Sequence, residues 1–285
     1  MQALSCSSGR NLHLLIDFLL RRAYAMLETN AAYLAKHRDI LSFRDLANKT
    51  ITTYISYLTI FIGWAEDQLP GRELSSITWE EIRSYVRWLR DVKGLNPRTV
   101  NVHIAQLRDF FYYVLHKDWD KREVSFLRFD QYLPAVPTRE QVSAIINSIR
   151  NPKHKAEIAL LYSSGIRVSE LCRLHCGDIL RSKGCIYISR SKNRSDRYAV
   201  LSGRAYGDLV AYIRSSYHGA VSSDWLFPGQ REHSHICEKS VYNVFIHQLE
   251  VAGLAGCGFN LHSLRHAFGL HLYESGADLI SVSGA

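Results

Sequence analysis

Ser164-Gly165-Ile166-Arg167-Val168-Ser169-Glu170-Leu171 lies past the middle of the chain, and the reading of the fold turns on it. The residues before it, from about Lys155 to Ser163, carry apolar positions at helical spacing, and Gly165 stops that helix. A new helix begins within three residues, so Arg167 stands in the turn between them. Backbone N–H groups at a helix start, with a guanidinium fork beside them, suit one phosphate. A single arginine in a turn is as readily a surface residue or an ion-pair partner, so the neighbouring segments decide between these readings.

Toward the C-terminus the period changes. Gly184 to Ser202 contains Cys185, Ile186, Tyr187 and Ile188, then a polar basic stretch, then Tyr198 to Leu201, the pattern of a β-hairpin with a charged turn. That turn, Ser189 to Arg197, projects Lys192 together with Arg190, Arg194 and Arg197. Helices resume at Tyr206 to Ser215, Ser240 to Val251 and Leu261 to Glu274. In the last of these, His262, Arg265, His266 and Gly269 fall on one face, while Leu261, Leu264, Phe268 and Leu272 fall on another. The residue after His262 is Ser263, so the glutamate base of a His-Glu-x-x-His zinc protease is absent.

Toward the N-terminus, Thr138 and Gln141 form a capping box for a helix reaching about Ile149. Residues 119–137, with mixed charges and prolines at 134 and 137, read as a linker. Ahead of it are four helical stretches with short connections. Ala23 to Ala35 is the first, and Lys49 to Ala65 the second, closed by Pro70 and Gly71. The third is capped by Thr78 with Glu81 and runs to Gly94, and the fourth is opened by Asn96 and Pro97.

Thirty-five Lys and Arg against 27 Asp and Glu give the 285 residues a formal charge of +8, which favours a polyanionic partner. With 47% hydrophobic residues the chain can bury a sizeable core, which excludes wholesale disorder. The best apolar run, Leu12 to Leu20, is broken by His13 and Asp17, so neither a membrane span nor a signal peptide is expected, and the expected compartment is the cytoplasm. The six cysteines are scattered, as in a reducing compartment. Neither Cys172/His175/Cys176 nor His233/His235/Cys237 has zinc-finger spacing, so no metal site and no cofactor are expected.

The order of the boxes is more informative than any one of them. A Gly-x-Arg-x-Ser-Glu-Leu turn, a hairpin lysine 25 residues later and then His-x-Leu-Arg-His together resemble the tyrosine recombinase, or phage integrase, family. The resemblance implies a mainly α fold with a small β-sheet: an N-terminal helical core-binding bundle and an α+β catalytic domain, incomplete at its C-terminus. The expected division is an N-terminal helical extension at 1–40, a core-binding domain at 41–118, a linker at 119–137 and a catalytic domain at 138–285. It further implies that Arg167 and Arg265 clamp the scissile phosphate, that Lys192 protonates the leaving 5′ hydroxyl, and that His262 is an acid/base and phosphate contact. His266 is implied as an orienting group, and Glu170 as a support. The family's nucleophilic tyrosine has no match, because Tyr273 is the only tyrosine after Arg265 and precedes the position where the family carries it. The chain therefore reads as truncated and deficient in cleavage by itself.

Double-stranded DNA is the implied partner, with a homo-oligomer, tetrameric on DNA, as a second. Lys49, Thr50, Thr53, Arg98, Asn101 and Arg108 in the helical half, and Arg190 and Arg194 in the hairpin turn, are expected as DNA contacts. Two alternatives share these features: a type IB topoisomerase relative, and a noncatalytic DNA-binding accessory or regulator on the same fold.

Overall fold

The computed structural model describes residues 28–70, 72–130, 133–189, 196–216 and 221–277. Arg190, Lys192 and Arg194, and the expected helix start at Ala23, lie outside these residues. The described residues are mostly helical, with one small three-stranded antiparallel sheet. The chain divides into two compact units, Met1–Gln131 and Tyr132–Ala285, and each is described by itself.

In the first unit, α1 is Glu28–Phe43, α2 Asn48–Gln68, α3 Trp79–Arg87 and α4 Pro97–Tyr113. On α2 the buried residues Ile51, Ile55, Leu58, Phe61, Ile62 and Ala65 recur three and four apart, which is one face of a helix. Thr78 caps α3 as its sequence predicts: its N–H donates to Glu81 Oε2 at 2.7 Å, and the Glu81 N–H returns to its hydroxyl at 3.4 Å. The helix then widens into one π turn over Trp88–Val92, in which the Lys93 N–H donates to the Trp88 carbonyl at 3.0 Å. Asn96 caps α4 through the Thr99 N–H at 2.9 Å, with Pro97 in the first helical position.

Two boundaries differ from the reading of the sequence. Helix α1 runs through the expected break at residue 40, and Leu41 is buried against Ile51 and Ile55, so the extension and the bundle share apolar contacts. The expected linker begins on the bundle: the Trp119 indole N–H donates to the Val124 carbonyl at 2.9 Å, Val124 is buried, and Leu127 packs against the same core. The charges of 119–130 suggest a solvated segment, yet three apolar residues among them hold it down.

In the second unit, α5 is Arg139–Ser148, α6 Pro152–Ser164, α7 Val168–Cys172, α8 Gly203–Ser216, α9 Glu238–Val251 and α10 Leu261–Glu274. Helix α6 starts three residues ahead of Lys155, because Asn151 accepts from the Lys153 N–H at 2.9 Å and Pro152 takes the first position. Its Ala156, Ile158, Leu160 and Leu161 are buried at the centre of this unit's core. Strands β1 (Ile179–Leu180), β2 (Cys185–Ile188) and β3 (Arg197–Val200) pair antiparallel in that order, with Ile188 opposite Arg197. The hairpin is thus present, and β1 adds an edge of only two residues, too short to show a period.

The buried line of α10 is Ser263, Leu264, Ala267 and His271, whereas Leu261, Phe268 and Leu272 are half-buried. The small residues Ser263 and Ala267 let the helix approach its neighbours along their edge. His262 and His266 remain exposed and Arg265 half-buried.

Candidate active site

The site is built from the turn after α6 outward. Gly165 caps α6 with φ +61° and ψ 17°, a left-handed conformation that glycine adopts without strain. A Cβ there would stand 2.4 Å from Cδ1 of Phe268 on α10, so the ring closes over this turn and leaves room for glycine alone. The Gly165 carbonyl accepts a hydrogen bond from Arg265 Nη1, which ties α10 to the turn. Ile166, buried, anchors the next residue, and Arg167 opens α7.

One carboxylate organises the arginines around this turn. Glu170 Oε2 accepts the backbone N–H of Arg167 at 2.7 Å, and its Oε1 accepts Nη1 of Arg167 at 2.9 Å. Oε2 also accepts Nη2 of Arg197, from the start of β3, at 2.8 Å. The Glu170 side chain is only 7% exposed, and a carboxylate buried to that degree requires such partners. The N–H that the sequence suggests for a phosphate is therefore held by Glu170.

Helix α10 supplies the rest. Asn260 accepts from the Ser263 N–H and donates its own N–H to the Ser263 hydroxyl, both at 3.1 Å. This reciprocal cap starts the helix so that His262 falls in its first turn and Arg265 and His266 follow three and four residues on. The rings of His262 and His266 meet edge to face with centroids 5.8 Å apart.

Three guanidinium groups against one carboxylate leave this corner with an excess of positive charge, an environment for an anion. Burial, with the fields of Arg167 and Arg197, holds Arg265 below its usual pKa, while Glu170 acts the other way. The His262 imidazole, exposed on one side, is also pushed below its ordinary value, first by the partial desolvation of its other side and then by His266, Arg265 and Arg167.

The basic composition of the hairpin turn places Arg197 among its projecting side chains, but that side chain is 16% exposed and turns inward. A signal for this exists in the strand itself: Arg197, Ala199 and Leu201 alternate onto one side, and the latter two are buried. Arg167, Arg265 and the α10 histidines are brought into one corner. Lys192, Arg190 and Arg194 belong to the residues not described.

In the first unit, Lys49 and Thr53 are exposed on the opening turns of α2 and Thr50 is half-buried; the Thr53 hydroxyl donates back to the Lys49 carbonyl at 2.8 Å. On α4 the guanidinium of Arg98 lies over Phe129 at 5.4 Å and that of Arg108 over Phe126 at 5.2 Å. Asn101 is engaged within the protein: its amide donates to the Leu127 carbonyl at 2.9 Å and accepts the Leu127 N–H at 2.7 Å. Its expected role as a DNA contact thus competes with a bond pair that pins residues 119–127 to α4.

The histidines and cysteines noted in sequence do not converge on a metal site: among the described residues no group of three or more His, Cys, Asp or Glu side chains could hold one. His175 instead stacks on Trp225 with centroids 4.1 Å apart, and the His235 ring meets the same indole edge to face at 5.0 Å. Among the described residues no helix is long and apolar enough to cross a membrane.

Comparison with known proteins bears on the family and the fold. The model of the phage integrase family matches residues 136–284, and that of the phage integrase N-terminal SAM-like domain matches residues 33–121. The integrase/recombinase y4qK of Sinorhizobium fredii is 30% identical over 246 residues, covering 85% of this chain and 76% of that protein. Tyrosine recombinase XerD of Caulobacter vibrioides is 28% identical over 250 residues, covering 83% and 81%. Among solved structures, a lambda integrase tetramer bound to a Holliday junction matches with a TM-score of 0.69 at 18% identity, over 89% of this chain and 75% of that one. XerH recombinase in a post-cleavage complex with palindromic difH substrate matches with a TM-score of 0.67 at 21% identity, over 85% and 73%. These structural likenesses show the fold. The first family model matches more than half of the residues, a span that includes the Arg167 turn and α10, and the chain belongs to the phage integrase family.

Proposed function

We propose that this chain binds duplex DNA as a site-specific recombinase of the tyrosine type and that Arg167 and Arg265 close on the nonbridging oxygens of one phosphodiester. The observation that carries the reading is the meeting of these two arginines at the Gly165 turn, with a single buried carboxylate holding Arg167. Guanidinium groups fixed in advance stabilise the charge that builds on a phosphate in transesterification, because nothing has to reorganise at that moment. His262, whose pKa is lowered from its ordinary value, is assigned to accept or pass a proton, and Lys192 to the departing 5′ oxygen. Lys49, Thr50, Thr53, Arg98 and Arg108 are assigned to backbone contacts along the duplex. In a recombination complex several copies would act on two duplexes.

The attacking group is not assigned to Tyr273. That residue is exposed and stands eight positions beyond Arg265 on the same helix, about 12 Å along its axis at 1.5 Å per residue. The 285-residue chain is therefore proposed to hold the phosphate without forming a covalent link to it. Incubation with a nicked suicide duplex, followed by denaturing electrophoresis, tests this: no adduct is expected, and one that survives denaturation overturns it. The pocket itself is tested by Arg265→Ala. A charged hydrogen bond to phosphate contributes about 1.5–3 kcal/mol, so binding to a duplex selected from a random library is expected to weaken about 10- to 100-fold. Unchanged affinity counts against the pocket.

A further inference from the structure

Arg197 meets the corner that Arg167 and Arg265 form, but from a different element and through a different contact. It opens β3, opposite Ile188, so it stands at the base of the hairpin turn, while its guanidinium reaches α7. Nη2 donates to Glu170 Oε2, the same oxygen that accepts the Arg167 N–H, and the other Glu170 oxygen accepts Arg167 Nη1. Nη1 of Arg197 is buried and meets no acceptor among the described residues. The side chain is 16% exposed, less than the 33% of Arg167, so it is the more enclosed of the two guanidinium groups on this carboxylate.

This arrangement has a mechanical consequence. A carboxylate with one arginine on it can rotate about its last torsion, and its partner moves with it. With a second guanidinium fixed by a strand, the plane of the carboxylate is set from both sides, and Arg167 is held in one orientation before any ligand arrives. Resting on the proposed phosphate pocket, we infer that Arg197 is a positioning residue that orients Arg167 through Glu170. It acts on affinity by preorganising the clamp, and the strand that carries it makes the sheet part of the site.

A double-mutant cycle separates this role from its competitors. The probe is the duplex selected for binding to the unsubstituted 285-residue chain, and the readout is the dissociation constant. Arg197→Met, which fills the space of the stem without the charge, is expected to weaken binding about tenfold, and Arg197→Lys, which keeps a cation for Glu170, to recover most of that loss. In an Arg167→Ala background, Arg197→Met is expected to cost less than twofold, because the residue it orients is gone. A Glu170→Gln background is expected to remove the effect in the same way.

Losses that multiply in the Arg167→Ala background overturn the inference, since they make Arg197 an independent phosphate contact or a support for the fold. Equal tolerance of Met and Lys overturns it as well. If Arg197→Met does not fold, as judged by circular dichroism, Arg197→Gln, which also removes the charge, takes its place in the same cycle: its loss must vanish when Arg167 is absent, and a loss that persists there overturns the proposal. The underlying pocket fails differently: then Arg167→Ala and Arg265→Ala both leave binding unaltered. If those two substitutions weaken binding and only the cycle is additive, the pocket stands and the role of Arg197 falls.

Discussion

Gly165 meets two demands at once, a positive φ and a ring pressed against the place where a Cβ would be. Alanine there has to enter the left-handed region and displace Phe268, so Gly165→Ala is expected to destabilise the second unit by more than the about 1 kcal/mol of the backbone penalty alone. A thermal scan should show a fall of several degrees, and DNA affinity should fall with it, because the Gly165 carbonyl holds Arg265; a melting temperature unchanged within a degree contradicts this account. Glu157, in the middle of α6, is a second residue under tension. It is 2% exposed, and burial pushes its carboxyl up to about 7, against a smaller opposing pull from Lys153. A carboxyl whose folded pKa is raised imposes no penalty below its ordinary value of 4.5, and the penalty grows as pH rises through about 7. The full shift corresponds to about 3 kcal/mol, and Glu157→Gln removes the charge. The variant is therefore expected to melt several degrees higher than the parent at pH 8 and at the same temperature at pH 4.5. A gain that is equal at both pH values would point to packing instead.

At the scale of elements, residues 119–127 behave as a strap on α4, secured by Asn101 at Leu127 and by Trp119 at Val124. Asn101→Ala leaves a backbone N–H and a carbonyl without their partners, at a cost of about 1–3 kcal/mol. Urea denaturation should show a lower midpoint, while Asn101→Asp, which keeps the acceptor for the Leu127 N–H, should lose less; identical midpoints for all three chains would show that the strap is held by its apolar residues alone. The strap also marks where sequence reading succeeds and where it stops. Thr78 with Glu81, Thr138 with Gln141, and Asn96 with Pro97 are legible because a cap is a local contract between residues at most three apart. The Gly165 turn and the α10 box are legible for the same reason. The strap is not, because Asn101 and Leu127 are distant in sequence and nothing local marks their pairing. Arg197 is misleading because the basic composition of the turn outweighs the alternation that places it beside Ala199 and Leu201. The buried stripe of α10 lies one residue away from the apolar one because contact with neighbouring helices, rather than side-chain hydrophobicity, selects Ser263 and Ala267.

For the molecule as a whole the governing quantity is charge. The excess of 35 basic over 27 acidic residues is only +8, but some of the acidic residues subtracted in that sum each hold two arginines within their own unit, as where Arg167 and Arg197 share Glu170 and where Arg83 and Arg87 pair with Glu80. Net charge therefore understates the cations free to meet a duplex: Arg265, Lys49, Arg98 and Arg108 have no carboxylate partner among the ion pairs of the described residues. Binding that rests on phosphate neutralisation releases counterions, and the logarithm of affinity falls linearly with the logarithm of salt, with a slope of about −0.9 for each phosphate neutralised. A pocket arginine plus contacts spread along the helical half makes about six phosphates a reasonable demand, so affinity should fall about a thousandfold between about 50 and 200 mM salt. Removing Arg98 or Arg108 should lower the slope by about one with little change in sequence preference, whereas Arg197→Met, acting through Glu170, should weaken binding with a change in slope no larger than that of losing Arg167. Fluorescence anisotropy over a salt series measures both. A slope near zero would mean that the basic residues face water instead of DNA, and would remove the electrostatic part of the reading for both units.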